Sequence, residues 1–406
     1  MSTSSSDVVI VGGGVVGLCV ALSLQRMGRS VTVISKEAAG QGASAGNAGM
    51  IVPSHVVPLS APGVIAQGLR WMTRRDAPFH IKPSALPGMA PWLWQFRKHC
   101  TAAHVAASVP VLRDFSLEGV EGFRRLAAHE NDFAWKQTGL LMVYRTPQLA
   151  ESLRHEAKVA EKAGLRVQVL DAAGTAAQVP RLQSQALGAL LFEDDGRVDP
   201  DALLASLQRR IEAGGGTVRY GLRVQSLGPR EVVTERGTLT AHDVVVAAGA
   251  WSGRLHRSLK VQPAKGYSVT VRGEGPQIPM ILMEERVTIT ALPGRMRYGG
   301  TLSLSGFDGS VDRRRVAPIL REAARYHGEQ AVQAPDIWTG FRPASPDGLP
   351  FVGRLAPGLW AATGHGMMGV SLAPATGRLL SELMSGSTPF MDPAPFDPLR
   401  FTRRRD

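Results

Sequence analysis

The run Gly12-Gly-Gly14-Val-Val-Gly17 constrains this chain more than any other feature, because of what lies on either side of it. Asp7-Val-Val-Ile-Val11 is short, β-branched and apolar, the pattern of a parallel strand buried on both faces. Val15 to Met27 has helical character and Gly28 closes it; Val31-Thr-Val-Ile34 is a second strand. A G-x-G-x-x-G inside a complete strand–helix–strand unit predicts a dinucleotide site. Gly12 permits the tight turn, Gly14 lets backbone approach a pyrophosphate, and Gly17 lets helix and strand pack closely. The helix N-terminus, with Val15 and Val16 in its first turn, offers unpaired N–H groups to the phosphates. The end of the second strand ordinarily carries Asp or Glu for ribose hydroxyls. Here it carries Ser35, then Lys36 and Glu37. Ser35 can bond a hydroxyl and Glu37 can reach in; alternatively Ser35-Lys36 suits the 2′-phosphate of NADP.

Composition excludes several other classes. With 406 residues, 44% hydrophobic and 20% charged, the chain is an ordinary globular protein of two or three domains, or one large α/β unit. The mean hydropathy of -0.03 argues against a multi-span membrane protein. Two cysteines, Cys19 and Cys100, exclude a disulfide scaffold and a cysteine-rich metal centre, and no metal site is expected. A reducing, cytoplasmic compartment follows. The apolar stretch Val8 to Leu24 is neither signal peptide nor membrane span: Met1 to Asp7 has no basic residue, and Gly12, Gly13, Gly14 and Gly17 interrupt it. The net charge of +12 comes with no nucleic-acid motif, and its arginines are scattered apart from short runs at Arg313–Arg315 and Arg403–Arg405. Nucleic acid is not an expected partner.

Further motifs extend the dinucleotide reading. Gly42-Ala-Ser44-Ala-Gly46-Asn47-Ala48-Gly49 is a small-residue loop with Ser and Asn donors, able to pass close to a second face of the cofactor. In Val198-Asp199-Pro200, Asp199 caps a helix running to about Ala213 and Pro200 is its first residue. Thr217 to Leu227 and Glu231 to Thr240 read as strands, and Asp243 to Ala248 as a buried strand ending at Gly249-Ala-Trp251-Ser252. Near the C-terminus, Leu359 to Thr363, the loop Gly364-His365-Gly366-Met367-Met368-Gly369 and the apolar stretch Val370 to Met384 form another strand–loop–helix.

Together these motifs resemble the D-amino-acid oxidase and glycine oxidase superfamily of FAD enzymes, and within it the bacterial D-amino-acid dehydrogenase family. The resemblance also rests on Lys265-Gly-Tyr267, Gly299-Gly-Thr301 and Gly340-Phe-Arg342-Pro343, and the motifs span nearly the whole chain in the expected order. It implies an α/β chain, α+β overall, with two domains. A discontinuous Rossmann-like FAD domain with a parallel sheet takes 1–80, 190–255 and 335–406. A substrate domain on a mixed, largely antiparallel sheet takes 81–189 and 256–334. Strand-like runs at Tyr267–Val271, Arg286–Thr290 and Met296–Thr301 support the second domain independently.

The resemblance also implies non-covalent FAD, since neither cysteine sits in a flavin-attachment motif. It places Gly12, Gly14, Val15, Val16, Gly17, Ser35, Lys36, Ser44, Asn47, Ala48, Gly49, Val224, Ala248, Gly249 and Trp251 at the cofactor, with the loop Gly364 to Gly369. The implied reaction is hydride transfer from a substrate Cα–H to flavin N5, giving an imine and then a 2-oxo acid. Arg342 is the expected carboxylate anchor, because guanidinium binds carboxylate through two parallel hydrogen bonds. Related oxidases add a tyrosine hydroxyl; Thr288 stands at that place, with Tyr267 and Tyr298 as candidates from neighbouring strands. His365 is a candidate for contact with ring or substrate, and His55 a weaker one. An oxygen-using oxidase of glycine, sarcosine or a proline-type secondary amine is the alternative; a non-catalytic flavoprotein subunit is a third reading.

Residues 64–100 interleave Trp71, Phe79, Trp92, Trp94 and Phe96 with Arg70, Arg74, Arg75, Arg97 and Lys98. This suits either a peripheral patch on an anionic membrane, as a quinone-reducing dehydrogenase would need, or a lid and core segment of the substrate domain.

Overall fold

The computed structural model describes residues 6–72, 77–180, 182 and 186–402. Arg74, Arg75 and Arg403–Arg405 lie outside the described residues. Two large sheets organise the chain. The first has eight strands. Its parallel centre runs Thr217–Arg219, Val31–Ile34, Ser6–Val11, Gly237–Val246 and Leu359–Thr363. The central strands are continuous Val and Ile runs because helices cover one face and a second apolar layer the other. Helices Val15–Arg26, Pro200–Ala213 and Gly369–Ser385 share one core with the long helix Ala102–His129. Small residues allow close crossing: a Cβ at Gly119 would lie 2.3 Å from Ser371 O, and at Gly122 2.4 Å from Pro374 Cβ.

The second sheet has nine strands, in the order Asp336–Ala344, Gln262–Arg272, Arg295–Leu304, Val287–Leu292, Met280–Leu282, Leu140–Tyr144, Gly188–Phe192 and Val167–Asp171, with Phe79–Ile81 beside Arg295–Leu304. Most pairs are antiparallel; Phe79–Ile81 and Met280–Leu282 each add a parallel pair. The helix Arg313–His327 covers one face, burying Val316, Ile319 and Ala323 against Tyr267, Val269 and Tyr298. The other face is left for the functional site. The mixed α/β class therefore stands as expected.

Several boundaries differ from the sequence reading. Thr217 to Leu227 is two strands, Thr217–Arg219 and Val224–Gly228, because Gly221 turns the chain at φ +65°. Glu231 to Thr240 is a hairpin, Glu231–Thr234 returning as Gly237–Val246. Asp336–Ala344, within the segments given to the first domain from sequence, and Gly188–Phe192, which the boundary at 189/190 divides, pair in the nine-stranded sheet, whereas Ala102–His129 packs with the helices of the parallel sheet.

Candidate active site

A cavity of ≈ 1250 Å³ runs between the C-terminal ends of the parallel strands and the open face of the nine-stranded sheet. It exceeds what a single small ligand ordinarily needs, about 300–1,000 Å³.

At one end lies the glycine turn. A Cβ at Gly12 would meet Ala247 O at 2.2 Å, and one at Gly17 would meet Gly12 O at 1.9 Å, so turn, helix and neighbouring strand close on each other. At Gly14 a Cβ would meet only Ser44 Oγ, at 3.3 Å. The helix Val15–Arg26 begins there with no side-chain cap and no acidic residue in its first turn. Val15 N–H donates to Ser44 Oγ at 3.0 Å, which pins the small-residue loop to this helix end. Gly12, Gly14, Val15, Val16, Ser35, Lys36, Ser44, Asn47, Ala48, Val224, Ala248, Gly249 and Trp251 all line the cavity. Lys36 Nζ lies 4.5 Å from the centre of the Trp251 ring, and Glu37 is 3.6 Å from Lys36. The cation is thus shared by an indole and a carboxylate already present.

The loop from Ser44 is held from across the molecule. Arg297, on Arg295–Leu304, donates to the carbonyls of Ala45 and Asn47 and pairs with Asp201 at 3.2 Å. Asn47 accepts from Gly49 N–H at 2.7 Å. A Cβ at Gly46 would lie 2.0 Å from the Trp338 ring, so the indole lies flat against the loop backbone.

The opposite end is built by strand alternation. Trp338, Gly340 and Arg342 share one face of Asp336–Ala344. They stand opposite Ser268, Gly266 and Ala264, a floor of small residues. The Arg342 side chain crosses that floor: a Cβ at Gly266 would lie 2.4 Å from its Cζ, and its Nη1 is 3.4 Å from Thr301 O. It has no ion pair among the described residues, and burial lowers its pKa to about 10, leaving it cationic at neutral pH. Its neighbour Pro343 accepts from Gly366 N–H at 2.7 Å, joining the substrate floor to the glycine loop at the start of helix Gly369–Ser385.

Four expected site residues stand elsewhere or are engaged. Tyr298 does not line the cavity; it is fully buried under helix Arg313–His327, its ring 6.0 Å from His327. Tyr267 reaches the cavity wall, but its ring belongs to the same helix-covered core, because alternation points residues 267 and 266 to opposite faces. Thr288 lines the cavity, yet its hydroxyl donates to Gly299 O at 3.2 Å and accepts from Gly299 N–H at 3.1 Å, stitching two strands. His365 lines it as well, with Nε2 held 2.9 Å from Thr376 Oγ1. Thr376 donates its hydroxyl proton to Leu372 O, so it accepts from His365, and burial lowers the imidazole pKa to about 3. Nε2 is therefore a fixed donor.

Gly17, Gly49 and Gly364 act beneath the surface and do not line the cavity; Gly366, Met367, Met368 and Gly369 do. A Cβ at Gly49 would lie 2.3 Å from Val198 O, and one at Gly364 2.6 Å from Phe351. Cys19 is buried in its helix with its thiol pushed up to about 12, and neither cysteine lines the cavity.

Two features were not assigned from sequence, and a third, His55, was only a weaker candidate. Trp338 was visible only as part of a motif. Arg286 lines the cavity with φ +54°. His55 also lines it, its Nδ1 3.1 Å from Ser54 Oγ, which in turn donates to buried Asp195 at 2.5 Å. Only three-dimensional proximity connects residues 55 and 195.

The chain superposes on glycine oxidase from Geobacillus kaustophilus with a TM-score of 0.75 at 28% identity, covering 98% of this chain and 99% of that one. Glycine oxidase from Bacillus cereus gives a TM-score of 0.76 at 23% identity, covering 99% of each chain. L-proline dehydrogenase from P. horikoshii gives 0.75 at 19%, covering 98% of each. The last two likenesses speak to the fold alone. The glycine turn, the uncapped helix end and the volume fit FAD, and residues 7–383 match the DAO model of FAD dependent oxidoreductases: the chain is an enzyme of that family, with FAD as its cofactor.

Proposed function

We propose that this enzyme is an FAD-dependent D-amino-acid dehydrogenase that deaminates its substrate oxidatively. The observation that carries the reading is Arg342, a cation without an acidic partner among the described residues, laid across a floor of small residues beside the Gly366 loop. Bound FAD supplies the acceptor for the hydride that leaves the substrate Cα. Arg342 grips the α-carboxylate at two points and fixes the tilt of Cα–H. Gly266 and Ala264 leave room for that grip, and the apolar walls exclude water. The imine product hydrolyses to a 2-oxo acid and ammonia. Anaerobic bleaching of the oxidised flavin band against a panel of D- and L-amino acids, and of amines lacking a carboxylate, tests this. Bleaching by the decarboxylated amines as readily as by the acids would sink it.

A second reading is an oxygen-using oxidase of glycine, sarcosine or a proline-type secondary amine. The 28% identity to a glycine oxidase over 98% of the chain favours it. Reoxidation of bleached enzyme by oxygen, against reoxidation by a quinone, separates the two.

The dehydrogenase reading includes a quinone acceptor delivered from the inner face of the cytoplasmic membrane. No helix among the described residues is long and apolar enough to cross a membrane. The helix Val64–Met72 buries none of its residues, exposes Ile65, Leu69 and Met72, and stands at the cavity mouth; Trp94 is exposed on Leu86–His99. This supports peripheral contact at the point where an apolar acceptor would enter. Co-flotation with anionic vesicles, lost in Leu69→Asp, tests it.

A further inference from the structure

A second arginine faces the cavity that Arg342 serves, and its backbone is in an unusual state. Arg286 ends the turn between Met280–Leu282 and Val287–Leu292 with φ +54°, a conformation that favours Gly or Asn at such positions. Backbone strain of this kind concentrates at ligand sites.

Its neighbours do not account for it. Glu284 accepts from Arg145 N–H and the Thr146 hydroxyl, and Glu285 pairs with the Arg145 guanidinium at 3.0 Å. The Arg286 charge acts on Glu156 and on His55, but makes no ion pair within 4.0 Å among the described residues. The side chain is exposed and lines the cavity.

The sheet brings the two arginines to one strand, Arg295–Leu304. Arg342 Nη1 rests 3.4 Å from Thr301 O. One residue earlier, a Cβ at Gly300 would lie 3.5 Å from Arg286 O. Thr288, two residues on from Arg286, faces Gly299 on the same strand. Arg342 reaches Thr301 across Gln262–Arg272, and Arg286 begins the strand on the other side of Arg295–Leu304, so both arginines approach the stretch Gly299–Thr301 from opposite sides and line one cavity.

We infer that Arg286 is a second anion-binding point, and that the preferred substrate is an amine bearing two carboxylates, one held by Arg342 and the other by Arg286. This rests on the reading of Arg342 as the α-carboxylate anchor. Two sources share the chemistry: an amino acid with an acidic side chain, and a secondary amine with a carboxymethyl group on each side of nitrogen.

The test has two arms, both on the FAD-loaded enzyme. Calorimetric titration compares succinate and glutarate with butyrate, on wild type, Arg286→Gln and Arg286→Lys. Gln keeps the backbone demand of Arg and removes only the charge. Wild type is expected to bind the dicarboxylates about tenfold or more tightly than butyrate, the scale of one charge-assisted hydrogen bond. The ratio should fall to near one in Arg286→Gln and recover in part in Arg286→Lys. The second arm measures kcat/KM for aspartate, glutamate and iminodiacetate against alanine and sarcosine, which also separates the two sources. A wild-type binding ratio near one, or a ratio unchanged in Arg286→Gln, overturns the inference while leaving the amino-acid reading intact. If no amino acid bleaches the flavin, the amino-acid reading falls, and the titration still decides Arg286.

Discussion

Gly266 and Arg342 occupy one volume between them: a single side-chain carbon at position 266 would stand 2.4 Å from the guanidinium carbon of Arg342. The strand residue with no side chain thus determines where the charged one rests. Position 266 pairs with Gly340, and Arg342 with Ala264, so the strand positions the side chain crosses are small.

Gly266→Ala should therefore behave as a mild form of an Arg342 variant. The methyl displaces the guanidinium, and a misplacement of about 1 Å can lower the rate about a hundredfold. FAD content should be normal. Steady-state kcat/KM with flavin absorbance measured on the same sample decides; full activity in Gly266→Ala would mean that Arg342 does not act from the observed position.

Gly14→Glu and Gly17→Val should fail in different ways. Gly14 has space for a side chain, with Ser44 Oγ the nearest atom at 3.3 Å. A carboxylate there faces the uncapped helix end and competes with a pyrophosphate. That variant should fold and be colourless. At Gly17 any Cβ collides with Gly12 O at 1.9 Å, so Gly17→Val should lose folding itself. Circular dichroism with the absorbance spectrum distinguishes the two. A yellow Gly14→Glu would refute the placement of the phosphates.

How much of this was legible in the sequence depends on the kind of geometry. The cofactor end was readable because its chemistry is local: Gly12, Gly14 and Gly17 lie within one turn, and Ser44 to Ala48 within one loop. The substrate end was not, because strand register decides it. Tyr267 and Gly266 are neighbours in sequence and opposites in space, and a one-residue difference in phase exchanges core for cavity. Tyr298 turns away from the cavity for the same reason, beneath the helix Arg313–His327. Arg342 does line the cavity, and it was singled out by a motif rather than by phase.

Buried Asp195 should leave a signature in the pH dependence of stability. Burial raises its pKa well above 3.8, while the two hydrogen bonds from Ser54 pull it partly back. A carboxyl whose folded value is raised binds its proton more tightly in the folded state. Its favourable contribution is complete below 3.8 and is lost as pH rises through the folded value. Asp195→Asn cannot ionise, so its Tm should fall less than that of wild type between mildly acidic and mildly alkaline buffer. His55, lowered to about 4 chiefly by burial and then by Arg286, has the opposite sign: its contribution is present above 6.5 and is lost on acidification. An equal alkaline loss in Asp195→Asn and wild type would show that Asp195 ionises freely.

Arg297 connects the two sheets through the cofactor loop, and removing it should be felt at both. Its guanidinium is 7% exposed, binds the carbonyls of Ala45 and Asn47, and pairs with Asp201. Arg295 pairs with Asp201 at 2.9 Å and with Asp199, the cap of helix Pro200–Ala213, at 2.9 Å. Arg297→Leu leaves two buried carbonyls without their donor, while Arg295 still neutralises Asp201. The loss of stability should therefore come mainly from the orphaned carbonyls, about 1–3 kcal/mol for each that stays buried. The loop from Ser44 to Gly49 would lose its tie to the nine-stranded sheet but keep Ser44 on Val15 N–H and Trp338 on Gly46. FAD should bind more weakly without being abolished, and bound FAD should restore part of the lost Tm, because a ligand of the folded state stabilises by mass action. Arg297→Lys reaches one carbonyl at most, since it lacks the forked donor set, and should fall between wild type and Leu. The measurements are the Kd for FAD by flavin fluorescence quenching and Tm with and without added FAD, on all three proteins. Should FAD affinity be unchanged in Arg297→Leu while Tm falls, the arginine secures the fold alone, and the loop reaches its shape from Ser44, Asn47 and Trp338 without it.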